Sequence, residues 1–210
     1  MRDCIESIKF RGYKIKIYQD DNSSESPDDW GDDSLFLVGY HRDFTVDRST
    51  KTSGGIPPGL AQDITRGGKY EDGIENYEAA RYCKEYHIFG LEAYIHSGVS
   101  LALSQEGSFV DREWDVSQLG LVFVSKKEWK TREKAREAAR GLIKTWNMYL
   151  SGEVYGYLIE NTFGEESGGC WGFYGSDYKA SGLIDNARGE INEAKKQDKE
   201  LARIAAGGQA

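Results

Sequence analysis

The segment that most constrains this chain is LGLVFVS, Leu119 to Ser125, an apolar run of strand length that stops where a helical pattern begins. Ser125 followed by Glu128 reads as a capping box, and Val124 with Trp129 as the hydrophobic staple around it. Beyond it, Ala135, Ala138, Ala139, Leu142, Ile143, Trp146 and Leu150 fall on one helical stripe, and Gly152 ends the helix.

Other segments carry a period of two. Tyr13, Ile15 and Ile17 alternate with Lys14, Lys16 and Tyr18, giving a strand with one dry face. Leu35 to His41 is a short apolar strand. Phe89, Leu91, Ala93 and Ile95 face one way, with Gly90, Glu92, Tyr94 and His96 facing the other, and Val99 to Leu103 continues or returns that strand. Val154 to Ile159 and Trp171 to Tyr174 form a hairpin around the polar turn Gly164 to Gly169. Helical spacing covers Tyr70 to Tyr86, and a charged helix runs from about Ile184 to Ile204, solvated or facing a partner. Between Thr45 and Gly68, paired glycines and Pro57-Pro58 mark a long loop. Strands joined by short turns, with helices between groups, give an α+β fold: an antiparallel or mixed sheet with helices on one face. The expected organisation is a single domain over 1–183, with the loop at 45–69, then a charged helix and frayed tail over 184–210.

Composition narrows the function classes. Asp and Glu number 35 against 27 Lys and Arg, a net charge of -8, which disfavours binding to phosphate backbones and favours basic protein surfaces. No apolar run reaches the ~20 residues that cross a bilayer, and the N-terminus lacks the order of a signal peptide, so a cytoplasmic protein is expected. The 3 Cys are odd in number and dispersed, as are the 3 His, which argues against a disulfide framework and against a metal site. No cofactor motif is present: GxxxxGK[ST] is absent, and no glycines stand in GxGxxG order between a strand and a helix.

Three residues bear on catalysis. GGCWGFY, from Gly168, resembles the nucleophile region of papain-like Cys proteases, but no His follows Cys170 and its neighbours read as a strand. The segment therefore reads as a builder of the fold. A looser constellation of His96, Asp115 and Cys170 is the enzyme alternative, with Asp115 otherwise a turn-capping carboxylate above Trp114. The binding candidates are the acidic stretch (Asp28, Asp29, Asp32 and Asp33 with Trp30) and the aromatic residues Trp114, Trp171 and Tyr174.

Four segments in order resemble one family. They are SPDDWGDDSLFLVGYHRDFTVDRS from Ser26, YIHSGVSLALS from Tyr94, EWDVSQLGLVFVSKKEW from Glu113, and YLSGEVYGYLIE with GGCWGFYG from Tyr149 to Gly175. They are similar to conserved elements such as PWDSGQVGFIYVSKE and SCWGFYG of a bacteriophage, prophage and mobile-element family that has no assigned catalytic residues. Asp28 and Asp29 stand where that family shows Arg-Glu, and Val116 and Leu119 where it shows Ser and Val. The resemblance implies an accessory protein that binds a host or phage protein without catalysis, with counter-defence as one use. The alternatives are an enzyme, or a virion or assembly component whose long helix makes it oligomeric.

Overall fold

The computed structural model describes residues 3–21, 26, 27, 33–41, 55–96, 98–107, 109 and 115–207, with side chains described through 204. The fold is α+β, with two four-stranded sheets in which every strand pair is antiparallel. The chain divides into two compact units, one continuous (Ser26–Ser151) and one assembled from Met1–Glu25 and Gly152–Ala210.

In the continuous unit, strands β3 (Leu35–Gly39), β4 (Tyr86–Ile95), β5 (Val99–Leu103) and β6 (Val116–Ser125) are ordered β3-β6-β4-β5. Here β1 (Glu6–Phe10) and β2 (Tyr13–Gln19) precede them in the chain and belong to the other unit. The strand containing LGLVFVS is central, and its residues alternate between two cores. Val122 and Val124 point to a cluster with Leu37, Phe89, Leu91 and helix α3 (Arg132–Leu150). Leu121 and Phe123 point to a second cluster, with Phe36, Val38 and the helices α1 (Pro58–Thr65) and α2 (Tyr77–Glu85). Helices thus cover both faces of this sheet, where one covered face was expected. A strand apolar at every position has no side to give to solvent.

Three local expectations change. Helix α1 lies inside the stretch expected to be loop. Pro58 occupies its first turn, where a missing N–H costs nothing, and Leu60, Ala61 and Ile64 are buried. Helix α2 starts at Tyr77, not Tyr70, because Asn76 caps it by accepting from the Glu78 and Ala79 amides at 3.1 and 3.3 Å. Asn76 also donates to Asp63 of α1 at 2.8 Å, tying the two helices together. Helix α3 is capped by Thr131, whose hydroxyl accepts from the Lys134 amide at 3.4 Å, and not by Ser125. Ser125 is still paired in β6, opposite Tyr86, so a turn intervenes before the helix. The expected stripe is otherwise present, with Ala135, Ala139, Ile143 and Trp146 buried.

The second unit orders its strands β1-β2-β7-β8, with β7 at Val154–Glu160 and β8 at Glu166–Tyr174. Ile15, Ile17, Tyr157 and Ile159 pack against Leu183, Ala187 and Ile191 of helix α4 (Leu183–Gly207). The charged C-terminal helix is therefore core over its first turns, through an i, i+4, i+8 stripe that a mostly polar composition hides. Farther along, Leu201 and Ile204 are exposed.

Candidate functional site

The segment GGCWGFYG contributes to both faces of the second unit's sheet. Register pairs Tyr155 with Phe173 but Tyr157 with Cys170, so β8 carries one extra residue at this point. That bulge is accommodated at Gly172, whose φ is +85°. It lets Cys170 and Phe173 both join the cluster against α4, while Trp171 lies over Gly156: a Cβ on Gly156 would come within 2.1 Å of the Trp171 ring. Gly156 pairs on its other side with Tyr18, whose ring centre is 6.2 Å from that of Trp171. Three strands thus hold two aromatic rings side by side above a glycine.

The same face grades from aromatic to ionic along the strands. Lys16 pairs with Leu158, and Lys14 with Glu160. The Lys14 Nζ lies 2.6 Å from Glu160 Oε1, and Lys16 Nζ bonds the other carboxylate oxygen. The hydrogen bond from Lys14, then that from Lys16, holds the Glu160 carboxyl down at about 2, and Glu160 in turn raises Lys16. A depression of about 200 Å³ is lined by Lys16, Tyr18, Leu158, Glu160, Gly164 and Glu166. Behind the sheet, the buried Tyr157 hydroxyl lies 2.5 Å from Asn186 Oδ1 and 2.9 Å from Glu190 Oε2, locking β7 to α4. Burial first, then Glu190, pushes its phenol well above the usual range.

The residues singled out for catalysis divide between the units. His96 Nδ1 and Asp115 Oδ2 lie 3.5 Å apart in the continuous unit, with the imidazole 69% exposed. The Tyr94 ring lies 6.3 Å from that of His96 and stacks at 5.4 Å on Phe109. Cys170 belongs to the other unit, where its thiol packs at the edge of the hydrophobic cluster, 3.7 Å from the Trp171 carbonyl. Among the described residues, no group of three His, Cys, Asp or Glu side chains is arranged to hold a metal ion. Of the binding candidates, Trp171 and Tyr174 lie on β8 and are half-buried, and Asp33 is exposed just before β3. Asp28, Asp29, Trp30, Asp32 and Trp114 fall outside the described residues.

Sequence reasoning missed Tyr18 as the ring beside Trp171, and Lys14, Lys16, Leu158 and Glu160 farther along the same strands. The available signal was Gly156 inside the otherwise bulky strand VYGYLIE, since an interior strand glycine marks a close approach. It also missed a cleft of about 340 Å³ in the continuous unit, lined by Tyr40, Gln62, Thr65, Gln118 and Gly120 among others. The Tyr40 hydroxyl donates to the Ile56 carbonyl at 2.6 Å beside this cleft, and burial pushes it up to about 12. Next to it the buried Glu92 accepts from the Gln105 amide at 3.0 Å and from Gln118 Nε2 at 3.2 Å.

No described helix is long and apolar enough to cross a membrane. Compared with known proteins, the chain matches no family model, no curated protein and no solved structure.

Proposed function

We propose that this chain works by binding a protein partner, and that the Tyr18–Trp171 face is the contact. The observation that carries the reading is Trp171 lying across Gly156 beside Tyr18, with a bonded Lys14–Glu160–Lys16 set at its edge. Aromatic rings fixed before contact lose little entropy on binding, and charged groups around them match the rim of a protein interface. The four ordered segments that resemble elements of phage and mobile-element proteins favour a bacterial host protein as that partner. In the counter-defence version, the acidic stretch from Asp28 to Asp33 adds carboxylates that stand in for DNA phosphates.

The test is affinity capture from host lysate with the intact chain and with Tyr18→Ala, Lys16→Glu and Trp171→Ala. A host protein held by the intact chain should be lost by about tenfold or more in the aromatic variants, the size of a hot-spot truncation. Equal retention by all three folded variants would sink the reading. A second reading, proton-transfer chemistry at the His96–Asp115 pair, rests on their 3.5 Å approach. It makes the opposite forecast: His96→Gln abolishes function in the host while Tyr18→Ala leaves it intact.

A further inference from the structure

The other side of the same sheet carries a separate feature. The β1–β2 hairpin closes through Arg11-Gly12, both at positive φ (51° and 90°), in the manner of a two-residue turn. The turn sets Arg11 against helix α4, where its guanidinium donates to Asn192 Oδ1 at 2.8 Å and lies 5.5 Å over the Phe10 ring. Lys195 Nζ lies 5.5 Å over the Tyr13 ring, and Arg188 lies 5.3 Å over Phe10. Lys195, Lys199 and Arg203 follow at i, i+4 and i+8, so they share one side of the helix. With Lys196, Asn192 and Glu200 they line a groove of about 420 Å³. Five cations thus line the groove in a chain whose net charge is -8. Lys196 is paired with Glu193 at 3.7 Å and Arg203 with Glu200 at 3.8 Å, both on exposed side chains, while Arg11, Lys195 and Lys199 carry the rest of the charge.

We propose that this groove binds an acidic peptide segment of a partner protein. From Asn192 to Arg203 the helix rises about 16 Å at 1.5 Å per residue, the length of roughly five residues of extended chain at ~3.3 Å each. Three features favour a peptide over a nucleic acid. Glu200 within the groove would repel a uniformly charged phosphate backbone, but it can accept from peptide N–H groups or pair with an interspersed base. The nearest rings, Phe10 and Tyr13, are already covered by Arg11, Arg188 and Lys195, so they offer no platform for stacking bases. Finally, the chain's overall negative charge opposes a long polyanion more than a short acidic patch. This surface is independent of the Tyr18–Trp171 face, and either can fail alone.

The test is fluorescence anisotropy with labelled octaglutamate and the full chain at low salt. Binding should weaken at least tenfold in Lys195→Glu/Lys199→Glu and severalfold in Arg203→Ser. It should stay within about twofold in Lys134→Glu/Lys144→Glu, which makes the same change in net charge on α3. It should also weaken severalfold as salt shortens the screening length from about 30 to about 8 Å. Circular dichroism checks that each variant is folded, and Arg203→Ser keeps the test decisive if the double reversal is not. The proposal is overturned if octaglutamate does not bind, or if the α3 control weakens equally. It is also overturned if an oligothymidylate of similar charge binds as tightly, which would make the groove a nucleic-acid site.

Discussion

Replacing Gly156 by Ala tests the central feature of the candidate site without touching any side chain in it. The added Cβ would lie 2.1 Å from Trp171 Cε3, 2.5 Å from Cδ2 and 2.8 Å from the Cys170 carbonyl oxygen. Carbon atoms pack at about 3.5–4.0 Å, so the ring has to lift by well over an ångström. The Cys170 carbonyl belongs to the paired backbone of β8, so turning the indole relieves only part of the clash. Overpacking of this kind costs about 1–3 kcal/mol, offset by roughly 0.4–1 kcal/mol from the stiffer unfolded chain, leaving about 0–2.6 kcal/mol of destabilisation, centred on about 1.3 kcal/mol. Trp171→Ala removes a half-buried indole, on the order of 100 Å² of contact, worth about 2.5 kcal/mol at ~25 cal/mol/Å². With the ring gone, most of the Gly156→Ala clash is gone, so the double variant should lose about 1 kcal/mol less than the two singles summed. Urea unfolding followed by circular dichroism measures all three. Strict additivity of the two substitutions would mean that the ring does not rest on Gly156. If the proposed interface is right, Gly156→Ala also weakens partner capture, because it displaces Trp171.

The Glu160 carboxyl is held at about 2 by Lys14 and Lys16, below its ordinary 4.5. A depressed carboxylate stabilises the fold fully above about pH 4.5 and loses that contribution as pH falls towards about 2. Lys14→Met/Lys16→Met should flatten this window and move the Glu160 titration, read by carboxyl NMR, back up. Tyr157→Phe leaves Asn186 and Glu190 without the buried hydroxyl and should cost about 1–3 kcal/mol in urea; no change would show that α4 is not locked there. Thr131→Ala should cost about 1 kcal/mol as the true cap of α3, and Ser125→Ala clearly less; the reverse order would restore the capping box.

The legible parts of the fold are those where neighbours in sequence decide structure. The alternation of Tyr13, Ile15 and Ile17 gives β2, and the Ala135–Trp146 stripe gives α3, because each pattern reports a single buried face. Helix α1 hides behind Pro57-Pro58, since a proline in the first turn looks the same in sequence as one in a loop. The Thr131 cap is hidden because Ser125, six residues earlier, offers the same chemistry; only pairing to Tyr86 assigns it to the strand. The two-sheet division is invisible for a different reason. β2 pairs with β7, Gln19 opposite Tyr155, and no local period reports a partner so far along the chain. The same distance conceals the candidate site. Trp171 and Gly156 could be seen as unusual, but Tyr18 joins them only through that long-range register. His96 and Asp115 were singled out and do meet, whereas Cys170 lies across the unit boundary in sequence.

That long-range register bears on folding. Both partners of every pair in the β3-β6-β4-β5 sheet, and all three helices packed on it, lie within Ser26–Ser151. The β1-β2-β7-β8 sheet cannot close until β7 meets β2, and its core is incomplete until Ile191 is in place. For a flexible loop, closure costs roughly (3/2)RT ln n, so a long intervening chain penalises that pairing while unfolded and less once it is compact. The 26–151 segment should therefore fold first. Expressed alone, it should keep dispersed amide NMR signals and a cooperative urea transition. Gly120→Ala should abolish both, because its Cβ would lie 1.8 Å from the Val38 carbonyl oxygen in the paired strand β3. A broad, non-cooperative transition in the unsubstituted fragment would show that the central strand LGLVFVS is not buried by its own unit alone, and would reverse the proposed order.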